Sequence, residues 1–91
     1  MRSEPIIAAT VRDYLRRLAP EPRKLAKAAL ASLPRGDTKP LTDEFTGFYR
    51  LRVGQHRFIY RYQTGRLEVI YAAPRALVYE YLAAHLREFL G

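Results

Sequence analysis

Apolar side chains recur along this chain with two different periods, and the change from one to the other divides it. Ile7, Val11, Tyr14, Leu15 and Leu18 fall at i, i+4, i+7, i+8 and i+11, one face of an amphipathic helix. Arg12, Asp13, Arg16 and Arg17 take its solvent side, and Ser3 stands just ahead of Pro5 as an N-cap. Ala19-Pro20-Glu21-Pro22 ends this helix and starts a second, with Pro22 in the first turn, where a missing N–H is harmless. Leu25, Ala26, Ala29, Leu30 and Leu33 line one face of the second helix, and Pro34-Arg35-Gly36-Asp37 stops it. So short a connection between two periodic segments predicts a helical hairpin.

After a loop over 34–46 the period becomes two. Tyr49, Leu51 and Val53 share one face of a strand, and Arg50 and Arg52 share the other. Gly54-Gln55 suits a two-residue hairpin turn with glycine first. In the returning strand Phe58, Tyr60 and Tyr62 share one face, and Arg57, Ile59 and Arg61 the other. A two-residue turn sets Val53 against His56, Arg52 against Arg57, Leu51 against Phe58 and Tyr49 against Tyr60. The apolar faces then coincide, and so do the arginine faces. Thr64-Gly65 makes a second turn, Leu67 to Tyr71 a third strand, and Arg75 to Leu90 a final helix with Pro74 at its start. The order is α-α-β-β-β-α. We expect an α+β fold: two N-terminal helices packed on a small antiparallel meander of three to four strands, followed by a C-terminal helix.

Length adds that residues 1–91 form a single domain, with no internal repeat and no linker. The absence of cysteine removes disulfides, a thiolate nucleophile and Cys-ligated zinc. Two separated histidines, His56 and His85, do not suggest a metal site. No apolar run is long enough to span a membrane, and Glu4 and Pro5 do not fit a secretory signal. The expectation is a soluble cytoplasmic domain.

Charge changes the picture more. Sixteen Lys and Arg against nine Asp and Glu give a net charge of +7, which makes nucleic acid the first partner to consider. No acid occurs from Phe45 to Leu67, yet Arg50, Arg52, Arg57, Arg61 and Arg66 all fall there. Guanidinium grips phosphate bidentately. The deduced register puts Arg52 opposite Arg57, a destabilising like-charge pair, with Arg50 and Arg61 on the same face. A fold gains nothing from that, so the cluster reads as a site for a bound anion. The alternative is a solvated sheet face whose arginines aid solubility. Arg75 and Tyr79, at i and i+4, project from one side of the final helix's first turn. Tyr79 there can stack on a base, or it can be a core residue with Arg75 covering the strand end. His56 reads as a surface residue beside the turn.

These residues also resemble a known family. Lys39-Pro40-Leu41, the stretch from Gly47 to Arg61 (G-F-Y-R-L-R-V-G-Q-H-R-F-I-Y-R), and Arg75 with Val78-Tyr79-Glu80 look like the RelE/ParE toxin superfamily. With the two helices the resemblance spans nearly the whole chain. It implies the toxin of a toxin–antitoxin pair. RelE-type members enter the ribosomal A site and cut mRNA there. The ribose 2′-OH attacks the adjacent phosphate, with no metal and no cofactor. By position Arg50 and Arg52 match the basic pair of the first hairpin strand, and Arg57 the arginine that steadies the transition state. Arg75 matches the basic residue near the leaving oxygen, and Tyr79 the tyrosine that stacks on the nucleotide. Arg61 and Arg66 would add RNA contacts. The implied partners are mRNA, ribosomal RNA and a cognate antitoxin.

Three departures stand out. The well-known members carry lysines where Arg50 and Arg52 stand, and arginine is a poor general base. The family opens with a β-strand, whereas Ile7 fits the helix period. A histidine often precedes the late arginine, and here it is Pro74. Two other functions fit the same fold: a ParE-like gyrase inhibitor acting by protein binding, and a non-catalytic or decayed RNA-binding member. The final helix carries Leu77, Val78, Tyr81, Leu82, Leu86, Phe89 and Leu90, a stripe wide enough to suggest an antitoxin groove.

Overall fold

A computed structural model describes residues 4–90, with side chains described as far as His85. The expected cap Ser3 and the side chains of Leu86, Phe89 and Leu90 lie outside the described residues. In chain order the elements are β1 (Ile6–Ile7), α1 (Ala9–Arg17), α2 (Pro20–Ala31) and β2 (Thr38–Pro40). After a 3-10 turn over Asp43–Phe45 come β3 (Phe48–Val53), β4 (His56–Gln63), β5 (Arg66–Pro74) and α3 (Val78–Leu90). The α+β class holds. The sheet has five strands in the order β1-β5-β4-β3-β2, so the expected meander gains a short strand at each edge.

Both additions follow from backbone hydrogen bonding. The outer edge of β5 would leave N–H and C=O groups unpaired. Ile6 and Ile7 pair with it in parallel, opposite Glu68 and Val69, and Ala8 N–H donates to Val69 O at 3.0 Å. The first helix therefore starts at Ala9, later than its apolar period suggests, and Ile7 reaches the core from a strand. On the other edge Thr38, Lys39 and Pro40 pair with Leu51, Arg50 and Tyr49. A three-residue strand is too short to show a period.

The hairpin register is the one deduced from the sequence: Tyr49 faces Tyr60, Leu51 faces Phe58, Arg52 faces Arg57 and Val53 faces His56. Gly54 sits at φ +59, the left-handed value that the first position of this turn requires. One sheet face carries Leu51, Phe58, Tyr60 and Val69 and packs on Val11, Leu15, Ala26, Leu30 and Leu33 of the helical hairpin. Leu25, expected on that face, is instead 61% exposed.

The arginine face is not bare. Ile59, Ile70 and Ala73 lie there, and α3 covers them with Val78 and Leu82. The final helix thus packs on the face opposite α1 and α2, rather than at the sheet edge. A bulge makes room for this. Ile59 pairs with Tyr71 and Tyr60 with Val69, so Ile70 is the extra residue of β5. Ile70 and Tyr71 consequently both join the layer under α3. The third strand also runs longer than expected, to Pro74, and Arg75 to Leu77 form a turn before the helix starts at Val78.

Two stability predictions follow. Phe58 is fully buried between the helical hairpin and the sheet. Phe58→Ala should cost about 3–5 kcal/mol in urea unfolding. Burial raises the phenol pKa of Tyr14, Tyr60 and Tyr71. Unfolded tyrosine ionises near about pH 10, so above that pH the unfolded chain binds fewer protons than the folded one. Stability is full below about pH 10 and should fall as the pH rises beyond it, in denaturation midpoints measured across that range.

Candidate functional site

At the hairpin-turn end of this face, where α3 begins, part of the sheet is left open. A depression of about 390 Å³ there is lined by Lys39, Arg50, Arg52, Arg57, Arg75 and Tyr79. Each arrives from a different constraint. Lys39 comes from the edge strand β2, opposite Arg50, and Arg52 stands opposite Arg57. Two rows of like charges thus cross the sheet, each unfavourable by itself. Arg75 leads out of β5 and Tyr79 sits in the first turn of α3. The Tyr79 ring, 41% exposed, lies 6.2 Å from that of Phe45 at a tilt of 36°.

Arg57 is the centre of the group. It is 7% exposed. No carboxylate pairs with it among the described residues. Its Nη1 donates to Gly54 O at 2.9 Å and to His56 O at 3.1 Å. Burial, and then the charges of Arg50, Arg52 and Arg75, lower its pKa below the ordinary guanidinium value. A guanidinium starts so high that Arg57 remains a cation at neutral pH. The arrangement is a desolvated positive charge at the floor of a basic depression, suited to meeting negative charge on a ligand.

Asp37 is the counter-charge at the rim. Its carboxylate accepts from Arg52 Nε and lies 3.6 Å from Arg50 Nη2. Arg52 N–H also donates to the Asp37 carbonyl at 3.0 Å. Asp37 and Lys39 were not singled out as site residues from the sequence. Their spacing of two, on either side of Thr38, is the strand alternation that could have placed both beside the arginines.

Two arginines expected nearby lie elsewhere. Arg61 is on the same sheet face, but Ile59 and the helix covering it stand between Arg61 and Arg57. Its Nε donates to Glu68 Oε1 at 3.0 Å across the β4–β5 ladder. Arg66 is exposed beside the Thr64-Gly65 turn, at the far end of the sheet. His56 is half-buried rather than on the surface, and its Nδ1 lies 2.7 Å from Tyr14 Oη. His85 is exposed, with Nδ1 2.9 Å from the carbonyl of Tyr81.

Comparison with family models and with curated proteins finds no match. Solved structures do match. A chain of the RelB-RelE antitoxin-toxin complex from Methanococcus jannaschii superposes with a TM-score of 0.66 at 19% identity, over 84% of this chain and 96% of that one. A chain of the toxin-antitoxin complex RelBE2 from Mycobacterium tuberculosis gives 0.62 at 22% identity, over 80% and 100%. The YoeB/ParE toxin from Agrobacterium tumefaciens gives 0.57 at 23% identity, over 79% and 98%. The fold of this chain is that of the RelE-like toxins.

Removing the rim charge tests the electrostatic reading. Asp37 and Arg52 are half exposed, and the contact to the more buried Arg50 is long at 3.6 Å, so Asp37→Asn should change stability by no more than about 1 kcal/mol in urea unfolding. The same change should tighten binding of a short single-stranded RNA, with a steeper dependence on salt measured by fluorescence anisotropy.

Proposed function

We propose that this chain is a RelE-like toxin: an endoribonuclease that cuts mRNA in the A site of the ribosome and so blocks translation. One observation carries the reading. Arg57 is buried without a carboxylate partner among the described residues, in a depression shared with Lys39, Arg50, Arg52, Arg75 and Tyr79. A purely structural arginine would be expected to carry a counter-ion or to reach solvent.

In this mechanism Arg50 and Arg52 hold the scissile phosphate against the sheet. The ribose 2′-oxygen attacks phosphorus while the bond to the 5′-oxygen breaks, giving a 2′,3′-cyclic phosphate and a free 5′-hydroxyl. Negative charge that builds on the phosphoryl oxygens meets the fixed cation of Arg57. Arg75 faces the leaving oxygen. The exposed ring of Tyr79 gives an unstacked base a surface to lie on. Arg50 and Arg52 act electrostatically, because a guanidinium does not give up its proton in this range. The 2′-OH proton therefore goes to water or to a group of the ribosome, and the leaving 5′-oxygen takes its proton from water. Arg61 and Arg66, away from the depression, would contact RNA beyond the cleaved step.

A cognate antitoxin is the partner that goes with this reading. Two of the matched structures are antitoxin–toxin complexes. At the helical hairpin, a groove is lined by Ile7, Leu15 and Leu30 together with Arg12, Arg16, Arg23 and Lys27. That combination suits an acidic amphipathic segment. The final helix offers less than its sequence stripe suggests, because Val78 and Leu82 are fully buried against the sheet.

The test uses ribosomes programmed with a defined codon in the A site. Wild type should cut the message, and Arg57→Ala should lower the single-turnover rate by about a hundred-fold or more. Equal cleavage by both, or an intact message with both, would sink the proposal. A supercoiling assay covers the ParE-like reading: gyrase inhibition that survives Arg57→Ala with Tyr79→Phe would favour it. Salt-sensitive RNA binding without cleavage would favour a non-catalytic member.

A further inference from the structure

The Gly54-Gln55 turn joins the two arginine-bearing strands, and three consecutive carbonyls around it are committed to the site. Gly54 O and His56 O accept from Arg57 Nη1, at 2.9 and 3.1 Å. Gln55 O accepts from the backbone N–H of Arg75 at 2.8 Å. The turn therefore sets the position of the buried guanidinium and also ties down the segment that carries Arg75. An exposed two-residue turn is by itself among the more mobile parts of a sheet.

A side chain on the opposite sheet face restrains it. His56 pairs with Val53 and turns its ring toward α1. There His56 Nδ1 and Tyr14 Oη are 2.7 Å apart, and the two rings meet edge to face at 5.6 Å. Tyr14 is in turn seated against Phe58, at 6.1 Å and 87°, so the anchor is fixed to the main core. Tyrosine is protonated at neutral pH in any case, and burial raises the Tyr14 pKa further, so the phenol is able to donate a hydrogen bond. Neither residue lines the arginine depression.

We propose that the Tyr14–His56 hydrogen bond is a positioning device for the arginine site, holding the Gly54-Gln55 turn so that its carbonyls keep Arg57 and Arg75 in place. For cleavage this rests on the function proposed above. Tyr14 and His56 are positioning residues that never touch substrate. Their loss should leave substrate binding by Arg50 and Arg52 intact while misplacing the charge that meets the transition state.

The experiment has two arms. In the first, Tyr14→Phe keeps the ring and removes the hydroxyl. The cleavage rate at saturating ribosome should fall about ten-fold, with KM within two-fold of wild type. Placed in the Arg57→Ala background, Tyr14→Phe should cost clearly less than in wild type, because only its effect through Arg75 remains. His56→Ala should resemble Tyr14→Phe. His56→Asn, which retains a polar atom one bond beyond Cγ, should recover most of the rate.

The second arm needs no substrate. The Arg57 guanidinium protons, observed by nitrogen-15 NMR, should exchange with solvent at least ten-fold faster in Tyr14→Phe and His56→Ala than in wild type. Near-wild-type exchange in His56→Asn should accompany its recovery. Unchanged Arg57 exchange in a folded Tyr14→Phe protein would overturn the proposal, and so would an equal rate loss with and without Arg57. If wild type fails to cut mRNA, the proposed function falls, and the NMR arm still decides the positioning role.

Discussion

Burying a guanidinium without a carboxylate is costly unless its N–H groups are met by fixed acceptors. Arg57 meets that condition at Nη1, which two carbonyls of its own hairpin turn accept from, and none of its other nitrogens is both fully buried and unpartnered. Much of the local design follows from this constraint. The turn must be tight enough to aim its carbonyls back at the strand, which is why a glycine at φ +59 opens it. Because backbone dipoles and not an anion solvate the cation, its charge is left available to a ligand. A carboxylate in the same place would stabilise Arg57 and neutralise it.

The sheet is covered differently on its two faces, and the difference creates the site. The helical hairpin covers one face along a core that runs from Val11 to Val69. On the other face α3 covers only Ile59, Ile70, Ala73 and their neighbours. The bulge at Ile59/Tyr60 concentrates apolar groups there, since Ile70 and Tyr71 both turn toward α3. The helix is drawn to that part of the sheet, and the arginine rows near the hairpin turn stay uncovered. The same placement explains why Arg61 does not join the cluster. It lies beyond the helix and pairs with Glu68 by strand register.

The residues that settle register were legible in the sequence. Gly54-Gln55 between two alternating runs defines a two-residue turn, and the turn alone dictates that Arg52 faces Arg57. The class of fold followed from the two periods. What stayed hidden depends on contacts distant in sequence. The bulge has no local signal in Leu67 to Tyr71. Ile6 and Ile7 form a strand only because β5 offers an edge. Lys39 sits on a strand only three residues long, and Asp37 just ahead of it, so their spacing of two was a faint signal. Ile59 was visible on the arginine face, yet a lone isoleucine among arginines did not announce that a helix would pack there. Of the proposed site, Arg50, Arg52, Arg57, Arg75 and Tyr79 are brought together, whereas Arg61 and Arg66 are not.

The paired rows Lys39–Arg50 and Arg52–Arg57 oppose folding, since like charges directly across a ladder repel. A single carboxylate, Asp37, answers two of these cations, and it stands at the exposed rim rather than among them. Its pairing with Arg52 is exposed on both sides and therefore weak and exchangeable, and its contact with the more buried Arg50 is long at 3.6 Å. A phosphate can take the same guanidinium N–H groups with a stronger, bidentate fit. The depression is thus poised between an internal counter-ion and an external one. In the proposed function an incoming anion would relieve repulsion that the free protein carries, and part of the affinity would come from that relief. Arg57, deeper and without such a counter-ion among the described residues, has no internal contact to exchange. In the proposed function its charge would be available only to the group that reaches the floor, which would separate holding a phosphate at the rim from stabilising charge that develops during reaction.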